Sequence, residues 1–153
     1  MPLYLVQHGQ SRPKTDDPEQ GLSEEGIATV KRIAGVARGY RVHVNRIFHS
    51  GKKRARQTAE LLEKDLSPSG GIEERAGLHP LDDVSEIAAT LQSSDHDMLV
   101  GHLPFMERLV SFLITGGVDT LVFRFQNGGI VCLDQDNETG KWFIKWALMP
   151  SIG

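Results

Sequence analysis

Two histidines stand directly behind short apolar runs: His8 after Leu3-Tyr4-Leu5-Val6-Gln7, and His102 after Met98-Leu99-Val100-Gly101. Continuous apolar runs of that length suit strands buried on both faces, and ligands of open α/β sheets bind outside the carboxyl ends of such strands. Although 94 positions apart in the chain, the two imidazoles can therefore share one crevice. A third junction, His49-Ser50-Gly51, is followed by Lys52, Lys53, Arg54 and Arg56. Cations in the first turn of a helix oppose its macrodipole, at about 0.3–1 kcal/mol each when exposed. The conflict disappears when an anion sits there, because free N–H groups, dipole and cationic side chains then converge on it. Arg54 is the cation best placed to point inward, with Arg56 and one lysine solvated. An anion site beside two histidines suits phosphoryl transfer with a nucleophilic imidazole, the remaining cationic donors stabilising the equatorial oxygens. A hydrogen-bonded histidine that merely closes a strand is the bland alternative for either residue alone.

The elements that must position these groups alternate. A strand at residues 3–6 leads into a polar loop over 10–22, and Ser23 caps a helix with Glu24 and Glu25 in its first turn and Gly39 as its stop. Residues 44–48 form a second strand, and Ser50 caps a second helix running to about Leu66, with Ala55, Ala59, Leu62 and Leu66 inward. Residues 67–71 are a loop, Ile72 marks a short strand, and Asp83-x-x-Glu86 resembles the capping box of a third helix. Pro104 opens a fourth helix that Gly116-Gly117 ends. Residues 121–125, 130–133 and 142–146 alternate like strands, with turns at Asn127-Gly128 and at 137–140. The pattern predicts a three-layer α/β/α fold, with a mainly parallel central sheet and antiparallel C-terminal edge strands.

Composition bounds the function. The 153 residues carry 17 Lys+Arg against 20 Asp+Glu, a net charge of −3 that argues against nucleic-acid binding through a bulk positive field. Cys132 is the one cysteine, which excludes an intrachain disulfide or a multi-cysteine metal site. The six histidines show no H-E-x-x-H or paired i,i+4 spacing and no Walker-type phosphate loop is present, so no metal and no nucleotide-triphosphatase machinery are expected. No apolar run reaches about 18 residues, and no signal peptide is evident. The expectation is one cytoplasmic domain over residues 1–153, with no membrane partner.

Taken together, these residues resemble the histidine phosphatase (phosphoglycerate-mutase-like) superfamily, most closely its small SixA-type phosphohistidine phosphatases. Gln7-His8-Gly9-Gln10-Ser11 looks like the family's R-H-G-[EQ]-[AS], and Leu22-Ser23-Glu24-Glu25-Gly26 like the L-[ST]-x-x-G that follows. S-G-K-K-R-A-R-Q-T from Ser50 to Thr58, then Ala59-Glu60, resembles S-P-x-x-R-A-x-Q-T-A-E, and M-L-V-G-H-L-P from Met98 looks like the segment bearing the second catalytic histidine. The resemblance implies a phosphoglycerate-mutase-like fold and no cofactor. It implies His8 as the nucleophile, Arg54 and His102 as catalytic phosphate-binding partners, and Gln7, Gly9 and Ser11 as further phosphate-binding positions. The run Leu78-His79-Pro80-Leu81-Asp82-Asp83 lies where larger members place a glutamate acid. SixA-type members generally lack that acid, and Asp83 is read first as a helix cap. The implied substrate is a phosphohistidine-bearing protein, a small chain leaving few residues for a lid, with a small phosphorylated molecule as the alternative.

Gln7 departs from the pattern, because glutamine has neither the charge nor the fork of the family's arginine. Losing one preorganised donor costs roughly 10²–10³ in rate in comparable sites. Three readings stay open: a neighbouring cation (Arg12, Lys52 or Lys53) substitutes, a phosphoramidate substrate needs less help, or the protein binds phosphorylated ligands without turning them over.

Overall fold

The computed structural model describes residues 2–152. Its elements run β1 (Leu3–Gln7), α1 (Glu24–Gly39), β2 (Arg46–His49), α2 (Lys53–Leu66), β3 (Ile72–Glu74), α3 (Val84–Ala88), β4 (Asp97–Gly101), α4 (Phe105–Thr115), β5 (Ile130–Gln135) and β6 (Trp142–Leu148). The sheet order is β3-β2-β4-β1-β5-β6. β1, β2, β3 and β4 pair in parallel, while β5 and β6 add antiparallel at one edge.

Strand alternation explains the three layers. Tyr4, Val6, Ile47, Met98, Val100, Ile130 and Cys132 turn to one face, where Val30, Ile33, Ala34 and Ala37 of α1 and Ala55, Ala59 and Leu62 of α2 cover them. Leu3, Leu5, Leu99, Val131 and Leu133 turn to the other, against Val84 and Ile87 of α3 and Phe105, Met106, Leu109 and Val110 of α4. Strands buried on both faces are what the unbroken apolar runs require.

Three local expectations are corrected. Residues 121–125 form no strand: Phe125 is buried against the α4 layer, and its N–H donates to Glu107 Oε2 at 2.9 Å. Packing against a helix, with a carboxylate satisfying the backbone, replaces sheet pairing there. Gly39 is the last residue of α1 rather than its stop, and Arg41 takes the left-handed conformation with φ 59°. The bonds Val42 N–H to Ala37 O and Arg41 N–H to Arg38 O close that end. Finally, α2 begins at Lys53 with Lys52 at the cap position and no side-chain cap bond. The Ser50 hydroxyl has another use.

Candidate active site

β1 and β4 are parallel neighbours with Gln7 opposite Gly101, so their carboxyl ends deliver His8 and His102 side by side. His8 N–H donates to Gly101 O at 2.9 Å, and the two rings lie 5.0 Å apart between centroids. β2 ends on the other side of β4, which brings Ser50 in from the third junction: its Oγ is 2.6 Å from His102 Nε2. Serine is thus spent on orienting an imidazole rather than on capping α2.

The tautomer of His8 follows from its neighbour. Nδ1 lies 2.6 Å from Gly9 O, and a carbonyl can only accept, so Nδ1 carries the proton and Nε2 keeps its lone pair. Around this residue the backbone is clamped. Gly128 N–H bonds to both Gln7 O and His8 O, and Asn127 Nδ2 donates to His8 O at 3.2 Å. The Asn127-Gly128 turn, expected to link two strands, instead holds the peptide of His8. Gly9 N–H donates to Thr58 Oγ1 at 3.0 Å, and Thr58 donates to Arg54 O, tying the loop after β1 to the first turns of α2. Gly9 must lack a side chain, since a Cβ there would stand 2.7 Å from Val30 Cγ2 and 3.3 Å from Gly26 O.

Burial sets the charge state. It pushes His8 down to about 4, against the hydrogen bond to Gly9 O, which favours the charged form, and with a smaller contribution in the same direction from the Arg54 guanidinium. His102 is pushed down to about 3, by burial first and then by the charges of His8, Arg54, Lys52 and His79. Desolvation also lowers Arg54. Both imidazoles are neutral at pH 7, the state in which each ring keeps one nitrogen lone pair.

Among the described residues, three buried side-chain atoms lack a partner, and two belong here: His102 Nδ1 and Gln7 Oε1. Leaving such atoms unpaired costs about 1–3 kcal/mol each, and these two stand on adjacent strand ends, Gln7 opposite Gly101. Ser50 Oγ accepts the Lys52 N–H at 3.3 Å. With its own proton given to His102 Nε2, the ring proton falls on Nδ1, and the orphan becomes a donor suited to an oxyanion. A cleft of about 500 Å³ opens over the N-terminus of α2, lined by Lys14, Glu19, Gln20, Lys52, Lys53 and Arg54 but by neither histidine. A larger concavity of about 580 Å³ opens at the opposite ends of the strands, among Tyr4, His43, His96 and Trp146, away from this chemistry.

The remaining sequence candidates separate. Lys53 Nζ pairs with Asp17 at 2.9 Å, a bond that holds the Asp17 carboxyl down to about 2. Arg56 pairs with Glu60, and Arg12 is exposed. Lys52 bears on His102. Ser11 forms an isolated bridge with Leu22, and the Gly9 N–H is already taken by Thr58. Asp83 caps α3, accepting from Ser85 N–H and Oγ–H. No group of three metal-ligating side chains occurs among the described residues, and no described helix is long and apolar enough to cross a membrane. Sequence reasoning missed the roles of Ser50, Thr58, Asn127 and Gly128. Only Ser50 and Thr58 carried a signal, as members of the quoted motif.

The two lowered imidazoles make stability depend on pH. Both folded values lie below the ~6.5 of an unfolded histidine, so between pH 6.5 and about 4 the unfolded chain binds protons that the folded site refuses. Stability contributed by these neutral rings is complete above pH 6.5 and falls as pH drops through that window. Thermal unfolding from pH 7.5 to 4 should show a smaller acid loss in His102→Gln than in the wild type. Parallel losses would contradict this origin.

Known proteins resemble this chain in sequence and in fold. The profile of the histidine phosphatase superfamily (branch 1) matches residues 3–87. The chain is 25% identical to the phosphohistidine phosphatase SixA of Escherichia coli (strain K12), over 98% of its own length and 94% of that protein. A solved structure of the protein histidine phosphatase SixA complexed with tungstate superposes with a TM-score of 0.83, at 25% identity, covering 98% of this chain and 97% of that one. The alpha-ribazole phosphatase of Shigella flexneri shares the fold, with a TM-score of 0.78 at 16% identity over 100% and 98% of the two chains.

Proposed function

The chain belongs to the histidine phosphatase superfamily, branch 1, and on that premise we propose that it hydrolyses phosphohistidine on a protein partner through a phosphorylated His8. The observation that carries this is the disposition of His8: Nδ1 is held by Gly9 O, leaving Nε2 as the free lone pair, 5.0 Å between centroids from a His102 whose own Nδ1 is unsatisfied. Nε2 attacks phosphorus and the bond to the leaving group breaks. The His102 Nδ1–H and the Arg54 guanidinium take up the charge on the equatorial oxygens. Water then attacks the phosphoimidazole, releasing phosphate and neutral His8. The choice of phosphohistidine over an ester is supported by the likeness to SixA along nearly the whole chain, and by Gln7, since a P–N bond asks less of the cationic donors than an ester does.

A chemically phosphorylated histidine protein and p-nitrophenyl phosphate, each offered to wild type and His8→Ala, test the proposal. Release of phosphate from the histidine protein by wild type alone is expected. No release, or equal release by both, contradicts it, and faster His8-dependent hydrolysis of the ester replaces it with a small-molecule phosphomonoesterase. Saturable binding of phosphoprotein without release would make the chain a binding module.

We assign the compensation for Gln7 to Lys52, which is half-buried and lines the cleft with Arg54, whereas Lys53 is held by Asp17 and Arg12 is exposed. Lys52→Ala should lower kcat/KM by roughly tenfold or more, and Lys53→Ala by less than about threefold. The reverse order in steady-state assays would move the compensating charge to Lys53.

A further inference from the structure

The segment after β3 supplies a titratable group that the scheme above does not use. His79 Nε2 lies 3.1 Å from the main-chain carbonyl of Ser50, whose Oγ lies 2.6 Å from His102 Nε2, so Ser50 links the two imidazoles through its backbone and its side chain. The backbone of that segment packs on the end of β4, where a Cβ at Gly101 would stand 3.5 Å from Leu78 O. His79 acts electrostatically on His102, yet the residue is exposed to solvent. Its two acidic neighbours are committed elsewhere. Asp82 Oδ2 accepts from the His79 N–H at 2.9 Å, and Asp83 Oδ1 caps α3. Because Ser50 O can only accept, His79 Nε2 carries a proton, which leaves Nδ1 as the position that exchanges one.

We propose that His79 is the proton donor to the leaving group, a further catalytic residue of the reaction assigned above and resting on that assignment. Histidine is the side chain suited to passing protons near neutral pH. In the first half-reaction His8 Nε2 bonds to phosphorus. The P–N bond of the substrate breaks with its electron pair going to the leaving ring, and the proton on His79 Nδ1 moves to that ring. In the second, water oxygen bonds to phosphorus and its proton returns to His79 Nδ1, while the P–Nε2 pair returns to His8. Protons and charge balance over the cycle.

Two small substrates isolate the step. Phosphoimidazole, assayed with its ring unprotonated, must gain a proton to release neutral imidazole. Its N-methylated phosphoimidazolium counterpart releases neutral N-methylimidazole without one. The variant is His79→Gln, whose amide keeps a donor for Ser50 O. Its kcat should fall on the order of 10²-fold for phosphoimidazole and by less than about threefold for the methylated substrate, with tungstate inhibition unchanged. Equal falls on both substrates would reduce His79 to a positioning role through Ser50, and no fall on either would remove it from the reaction. Both results overturn the proposal while leaving phospho-His8 standing. His8-independent turnover by the wild type would instead overturn the underlying reading and this one with it.

Discussion

Replacing His8 with alanine is expected to lower kcat by on the order of 10⁴–10⁶, the scale on which covalent catalysts fail when the nucleophile is removed. The fold should survive, because the bonds that fix this stretch belong to its backbone: His8 N–H to Gly101 O, and Gly128 N–H to Gln7 O and His8 O. Alanine keeps all of them and removes only a half-buried ring that hydrogen-bonds, among the described residues, to its neighbour's carbonyl. An unchanged melting temperature with abolished turnover separates chemistry from stability. A variant retaining a tenth of wild-type activity would mean that water, and not His8, attacks phosphorus.

Arg54→Ala has the second largest expected effect, a fall in kcat/KM of roughly 10²–10³, the cost of one preorganised donor on a developing oxyanion. Inhibition by tungstate should weaken alongside, since the same fork binds a tetrahedral oxyanion in either state. Arg54→Lys should recover part of the loss, restoring the charge without the paired geometry. The stability readout should move the other way. Thr58 bonds to the backbone carbonyl of Arg54, so alanine leaves that link intact. It also removes a cation from the N-terminal turn of α2, where no acidic residue offsets the dipole, for a gain of about 0.3–1 kcal/mol. A variant at once less active and no less stable marks a residue placed for a ligand. A residue kept for the fold would show the opposite.

The site was legible in the sequence where chemistry conflicts with local stability. Cations in the first turn of α2 and histidines closing apolar strands are poor choices for folding alone, and they pointed to the crevice. Which strands adjoin was not legible. The 5.0 Å between His8 and His102 depends on β1 and β4 being parallel neighbours, a long-range pairing that periodicity does not encode. Ser50 shows the same limit: its spacing before α2 fits a cap, and only the approach of β4 turns its hydroxyl to His102. Residues 121–125 have strand-like alternation, yet burial against α4 and the Glu107 carboxylate satisfy them without a partner strand. The Asn127-Gly128 turn was recognisable as a turn from its residues, whereas its use as a clamp on the His8 peptide follows from tertiary structure. His79 belonged to a run read for its carboxylates, both of which the structure commits to backbone N–H groups.

The central claim is that the phosphoryl group passes through Nε2 of His8. Mixing enzyme with a phosphohistidine protein, quenching in alkali within the first turnover and locating the phosphate by peptide mass spectrometry tests it directly, with ³¹P NMR assigning the ring nitrogen. Phosphate on His8 Nε2, absent from His8→Ala and discharged on adding more time before the quench, is the expected result. Turnover with no phosphorylated chain, or with the phosphate on any other residue, would contradict the account.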